Sequence, residues 1–197
     1  MTNDAGLLNF YLELHNPESY YWNMSPESLY IEHITRQYLK NNITAHTGMK
    51  ACNIGIGVGE WDDYLGYWLD GKGSLTSVDI DADICEMFRY RQARERHPYP
   101  SMVVSMDILH STLPNNHFDL VTIIGSTVKQ IGEYQKALES CFSILGSNGF
   151  LLYMDFTRNH TENEFVRFIE DTPYQIEDLL IYDKYPQVRF FICTARK

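Results

Sequence analysis

The chain reads as an α/β protein. It should hold a seven-stranded, mostly parallel sheet with helices on both faces, closed by an antiparallel hairpin and preceded by a helical segment. Three observations predict this. From Lys50 onward, short apolar runs alternate with helical patterns. The first run, Ala51–Ile54, leads into a glycine-rich turn and then a helix. The last two runs, Gln175–Tyr182 and Val188–Thr194, are joined only by Asp183-Lys184-Tyr185-Pro186, too short for a crossover helix, so they should pair antiparallel.

The elements follow in order. About Leu7 to Asn42 reads helical, most clearly from Ser25-Pro26-Glu27-Ser28, where Ser25 can cap, Pro26 suits the first helical position and Glu27 adds an acid to the first turn. Leu29, Ile31, Ile34 and Leu39 supply its apolar positions, and Asn41 to Met49 is a polar connector. Strands are expected at Ala51–Ile54, Leu75–Val78, Met102–Ser105, Leu120–Ile124 and Phe150–Met154. They are apolar on both faces, as in a parallel sheet covered by helices. Helices are expected at Glu60–Leu69, Ala82–Arg96 and Gly132–Leu145, and Gly146-Ser147-Asn148-Gly149 reads as a helix stop and turn. A last helix, Glu164–Glu170, precedes the closing hairpin.

Composition bounds the partners. The 197 residues suit one domain, with 44% hydrophobic and 21% charged residues. A formal net charge of −10 argues against a nucleic-acid partner, which needs a basic face. Arg89, Arg91, Arg94 and Arg96 crowd one helix and read as a solvated helix face. Cys52, Cys85, Cys141 and Cys193 form no CxxC pair and read as buried thiols. The start Met1-Thr2-Asn3-Asp4 lacks a signal-peptide pattern and no apolar run is long enough to span a membrane, so a reducing cytoplasm is expected. The seven histidines are scattered without ligand spacing, and no metal is expected.

The motif that carries chemistry is Asn53-Ile54-Gly55-Ile56-Gly57-Val58-Gly59-Glu60. The next strand ends at Asp79, 20 positions after Gly59 (79 − 59), about the distance at which a βαβ unit places a carboxylate on a ribose. An adenosine-containing cofactor is implied. The dinucleotide fingerprint needs glycine at position 60, where this chain has Glu60. With Asp62 and Asp63, that helix start would repel a diphosphate, which favours positive helix N-termini. A cofactor with a sulfonium and an amino-acid tail meets no such penalty, and S-adenosylmethionine has both.

These residues resemble the class I, Rossmann-like S-adenosylmethionine-dependent methyltransferases over roughly Lys50 to the C-terminus. Gly55, Gly57 and Gly59 look like that family's first motif. Asp79 matches its ribose-binding acid, and Ile80 the residue that packs on adenine. Asp107 and Ile108, in Ser105-Met106-Asp107-Ile108, match its adenine-contacting motif. Phe118-Asp119-Leu120-Val121 resembles its fourth strand, with Asp119 structural at the strand's start, and the closing hairpin is also the family's. The resemblance implies one domain, 1–197, with an N-terminal helical lid over 1–45 and a cofactor-binding core over 50–197. Asn53 is a candidate cofactor contact by its place in the motif, but it departs from the pattern, since the family places an acid two residues before the first glycine. Glu60 or an N-terminal residue is the substitute this chain offers.

Ligands of open α/β sheets sit at the carboxyl ends of the strands. That points to Gly125-Ser126-Thr127 after the fourth strand, with Gly125 and Ser126 as cofactor contacts. Asp155, Arg158 and His160 follow the fifth strand, and Asp155 and His160 are the candidates for a general base. The N-terminal segment is aromatic, with Phe10, Tyr11, Tyr20, Tyr21, Trp22 and Tyr30. Tyr11 and Tyr30 read as packing. The Tyr20-Tyr21-Trp22 cluster stands open between core and site, and Tyr21 is a candidate cofactor contact through cation–π attraction to the sulfonium. The function expected is methyl transfer to an O, N or C nucleophile of a small aromatic or hydrophobic molecule, in natural-product biosynthesis. A nicotinamide-dependent oxidoreductase and a non-catalytic S-adenosylmethionine-binding regulatory subunit are the alternatives. No nucleic acid or membrane partner is expected, and a homodimer stays open.

Overall fold

The computed structural model describes residues 2–14, 25–125, 127–185 and 188–197. Seven strands make one sheet: β1 (Lys50–Ile54), β2 (Ser74–Asp79), β3 (Met102–Ser105), β4 (Phe118–Ile124), β5 (Leu145–Phe156), β6 (Gln175–Tyr182) and β7 (Phe190–Arg196). Their order is β3-β2-β1-β4-β5-β7-β6. The pairs from β3 through β5 are parallel, whereas β7 runs antiparallel to both β5 and β6. The expected hairpin is therefore present. The order reverses between β1 and β4, which opens a crevice at the carboxyl ends of those two strands.

Strand alternation divides the core into two layers. Cys52, Ile54, Val121, Ile123, Leu151 and Tyr153 belong to one buried cluster. Ala51, Leu120, Leu152 and Met154 belong to the other. Asn53 and Thr122 share the parity of Ala51 and Leu120, so both polar side chains enter the second layer, where they are buried.

Helix α1 (Asp4–Leu14) lies along α4 (Ala82–Glu95). Asp4 accepts from Tyr90 Oη at 2.6 Å and Arg94 Nε at 2.9 Å, and Tyr11 donates to Glu95. Helix α2 (Pro26–Asn42) starts as its sequence predicts, with Ser25 Oγ accepting from Ser28 N and Pro26 in the first turn. It buries Ile31, Thr35, Tyr38 and Leu39, and Tyr38 Oη meets Asp178 and Thr194 at 2.8 Å each. Those bonds pin α2 to the hairpin and so fix where its exposed side stands. Tyr30 packs edge-on to Tyr185 and Phe190, a core role.

The helix expected at Gly132–Leu145 is present as α6 (Tyr134–Ile144), and a short helix not expected from the sequence, α5 (Thr127–Ile131), precedes it, the two separated where Gly132 takes φ 78°. Two expectations are corrected. The turn expected at Gly146–Gly149 lies inside β5. Leu145 pairs with Phe118 before a register shift, and a Cβ on Gly149 would meet the Phe118 carbonyl oxygen at 2.8 Å. Arg91 is not on a solvated face: it is buried, for a reason given below. The remaining helices are α3 (Glu60–Leu69) and α7 (Glu162–Glu170), the latter closed by a Thr161–Glu164 capping box. Among the described residues, no helix is long and apolar enough to cross a membrane. The four cysteines are free and buried.

Candidate cofactor site

The turn after β1 is held from both sides. Gly55 N donates to Val78 O at 2.7 Å, and the Asp79 carboxylate accepts from Ile56 N at 2.8 Å and from Gly57 N at 3.4 Å. Asp79 also accepts from Asp81 N, so one side chain ties the ends of β1 and β2 together. On the outer side Arg91 donates to the carbonyls of Val58 (2.6 Å) and Gly59 (3.3 Å) and pairs with Asp63. Charge-assisted bonds to backbone oxygens and to a carboxylate are what permit a buried guanidinium.

The glycines serve different needs. Gly55 has φ 90°, and a Cβ there would lie 2.5 Å from Thr127 Oγ1. Gly57 also has positive φ, but a Cβ on it would meet nothing within 4 Å, because it faces open space. Gly59 is a packing position: its Cβ would strike the Phe88 ring and Arg91.

Two adjoining cavities open at this crevice. One, of about 200 Å³, runs from Gly55 past Asp79 and Ile80 to Met106, Asp107, Ile108 and Leu109, with Thr127, Gln130 and Ile131 opposite. The other, of about 550 Å³, shares Gly55, Asp79, Ile80, Thr127 and Gln130. It extends over Gly57 to Glu32 and Arg36 of α2, Glu60 and Trp61 of α3, and Ile31, Ile124 and Met154. Ile80 is 70% exposed, an apolar side chain on the rim. Asp107 caps the short 3-10 turn Ile108–His110 by accepting from Leu109 N, a bond that, with His110 beside it, holds its carboxyl below the usual range.

Asn53 does not reach either cavity. It is 1% exposed, and its amide donates to Asp62 Oδ2 and Gly55 O at 2.9 Å each while its oxygen accepts from Thr122 Oγ1 at 2.8 Å. Asp62 accepts from Ser77 Oγ as well, and full burial pushes its carboxyl up to about 7. So the three carboxylates at the start of α3 part company. Asp62 lies inside the protein, Asp63 pairs with Arg91, and only Glu60 faces the cavity. Lys50 N donates to Asp119, giving that acid the structural place expected of it.

The two candidates for a general base stand elsewhere. Asp155 is fully buried, and it accepts from Tyr153 Oη, Asn159 Nδ2 and Phe156 N. Burial pushes its carboxyl up against those bonds. His160 stacks on Tyr134 with ring centroids 4.1 Å apart. Neither lines these two cavities; both brace the chain after β5. Gly125 lies just outside the lining, turning the chain with φ 77° so that Thr127 and Gln130 come forward. Tyr21, Ser126 and the Tyr20–Trp22 cluster lie outside the described residues. Glu32, Arg36, Gln130 and Ile131 escaped the sequence reading. Gln130 and Ile131 lie on α5, shortly after Gly125 at the end of β4, but Glu32 and Arg36 carry no motif. Among the described residues, no group of three His, Cys, Asp or Glu gathers as a metal site.

The donor set fits an adenosine carrying a charged tail: a carboxylate beside two glycines, an apolar slot at one end and ionic groups at the other. The comparisons agree. A family model described as a methyltransferase domain matches residues 51–149, half of the chain. Two curated relatives, the demethylmenaquinone methyltransferases of Staphylococcus epidermidis and Staphylococcus aureus, are 22% and 23% identical over 122 residues. Those residues are 62% of this chain and 49% of each relative, so the chain spans about half the length of the curated relatives it matches. A solved SAM-dependent methyltransferase from Aquifex aeolicus superposes with TM-score 0.72 at 14% identity, covering 100% of this chain and 99% of that one. The [4+2]-cyclase SpnF superposes with TM-score 0.71 at 13% identity, covering 84% and 80%. At these identities the structures show the shared fold.

Proposed function

We infer the activity from one premise: this chain belongs to the methyltransferase-domain family, among the class I S-adenosylmethionine-dependent methyltransferases, and S-adenosylmethionine is its cofactor. On that premise it transfers a methyl group to an O, N or C nucleophile of a small aromatic or hydrophobic molecule, a step suited to natural-product biosynthesis. The observation that carries the reading is the Asp79–Ile80 pair on the rim shared by both cavities. The curated relatives are named for a small-molecule acceptor, demethylmenaquinone, which supports that substrate class. The net charge of −10 supports the absence of a nucleic-acid partner. Four buried free thiols support a cytoplasmic setting. A homodimer is checked by sedimentation.

When bound, the cofactor would supply an activated methyl group for transfer to the acceptor. The protein's own task is alignment. Asp79 would hold the ribose hydroxyls at the mouth of the glycine turn, Ile80 and Ile108 would hold the adenine, and Asp107 its amino group. Gly55 and Gly57 allow close backbone approach. Ile31, Ile124, Met154 and Trp61 form the wall against which an apolar acceptor is held. Trp61 is fixed there because its Nε1 donates to Thr122 Oγ1 at 3.1 Å. The test is turnover: labelled S-adenosylmethionine incubated with quinones, phenols and other hydrophobic acceptors. Label in an acceptor supports the reading; none across the panel, with the cofactor bound, favours the regulatory-subunit alternative.

A further inference from the structure

Asn53 stands where the family carries an acid, and it is enclosed and fully hydrogen-bonded, so the amino-acid tail of the cofactor must be met by other groups. Among the described residues, the charged side chains lining the larger cavity are Glu32, Arg36, Glu60, Asp79 and Asp81. Asp79 holds the glycine turn and is assigned to the ribose, and Asp81 caps α4 through Asp83 N and Ile84 N. That leaves three.

We propose that Glu32 and Glu60 together bind the α-ammonium of the S-adenosylmethionine tail and that Arg36 binds its α-carboxylate, so that helix α2, rather than strand β1, supplies the tail site. The inference rests on the cofactor assignment above. Glu32 and Glu60 come from different helices, and their carboxyl groups meet at the cavity lining. Burial, with Glu60 beside it, pushes the Glu32 carboxyl up to about 7, as two acids without a second cation between them require. Arg36 lies one turn from Glu32, with Nη2 3.1 Å from its carboxylate. Its guanidinium stands over the Tyr64 ring at 5.4 Å, and Tyr64 Oη donates to the Arg36 carbonyl at 2.8 Å, so the group is held in place. Its side chain is 34% exposed and lines the cavity. A zwitterion offers a cation to the paired acids and an anion to the exposed part of the Arg36 guanidinium. An ordinary salt-bridged surface helix would leave neither need open.

The test compares two ligands that differ only in the tail. S-adenosylhomocysteine carries the amino-acid group; methylthioadenosine keeps the nucleoside and lacks it. Calorimetric titration of Glu32→Gln, Glu60→Gln and Arg36→Gln should show S-adenosylhomocysteine weakened about tenfold or more in each. Methylthioadenosine should bind as it does to the unaltered protein, which also shows that each variant is folded. Unchanged binding of both ligands would place the tail elsewhere and overturn the proposal. Equal loss of both would make these residues structural and overturn it too. If the unaltered protein bound methylthioadenosine and S-adenosylhomocysteine equally, the nucleoside assignment would stand and the tail site would fall. If it bound neither, the cofactor reading would fall and the tail site with it.

Discussion

The two ends of the cavity are made by different means. At the nucleoside end, Asp79 ends β2 and Ile80, Asp107 and Ile108 lie within three residues of the ends of β2 and β3, whose register is fixed by parallel pairing. At the far end, Glu32 and Arg36 reach the cavity from α2, a helix placed by packing and by two hydrogen bonds from Tyr38 to the hairpin. Strand ends deliver side chains to one edge as a consequence of the sheet. A helix face delivers them only if the helix is docked. The nucleoside end is therefore part of the sheet, and the tail end belongs to a separate element laid over it.

The comparison can be broken first at the hinge of the two ends. Gly55→Ala would force a side chain into φ 90° and against Thr127, so it should cost about 2 kcal/mol of stability or more and abolish binding of nucleoside and tail alike. Urea unfolding and titration check both. Asp79→Ala should weaken S-adenosylhomocysteine and methylthioadenosine equally, by about 1–3 kcal/mol. An effect confined to the tailed ligand would erase the distinction between the ends.

A third variant sharpens what lies beneath. Asp62 is an acid whose folded pKa, about 7, lies above its unfolded value of about 3.9. Its contribution to stability is therefore lost as pH rises from about 4 to about 7 and is level above that. Asp62→Asn should remove this component, so its stability relative to the unaltered protein should rise between pH 5 and pH 8 in urea unfolding. A constant difference would mean that Asp62 is ionised throughout. The smallest effect is expected at the chain after β5. Asp155→Asn should lower the melting temperature yet leave ligand affinity unchanged, since its carboxylate only braces Tyr153, Asn159 and Phe156.

Legibility in the sequence followed the same divide. Apolar runs at βα spacing placed the strands, and the acid ending β2 and the glycines after β1 are local signals at fixed distances, so the nucleoside end could be read. Arg91 could not: a buried arginine and a solvated one look alike in a helix, and only the carbonyls of Val58 and Gly59 distinguish them. Asn53 looked like a cofactor contact because of its place in the motif, whereas strand parity turns it into the second core layer beside Thr122. Asp155 looked catalytic because it sits near a strand's end, but Tyr153, two residues earlier on the same strand, reaches its carboxylate. Glu32 and Arg36 are one helical turn apart, a spacing that any surface salt bridge would share.

S-adenosylmethionine is proposed to bind in the crevice between the glycine turn and Asp79. Parallel calorimetric titrations of the protein with S-adenosylhomocysteine and with NADH test it most directly. The expected result is saturable binding of S-adenosylhomocysteine at one site per chain, weakened by Asp79→Ala, with no heat from NADH. Binding of NADH without binding of S-adenosylhomocysteine would contradict it.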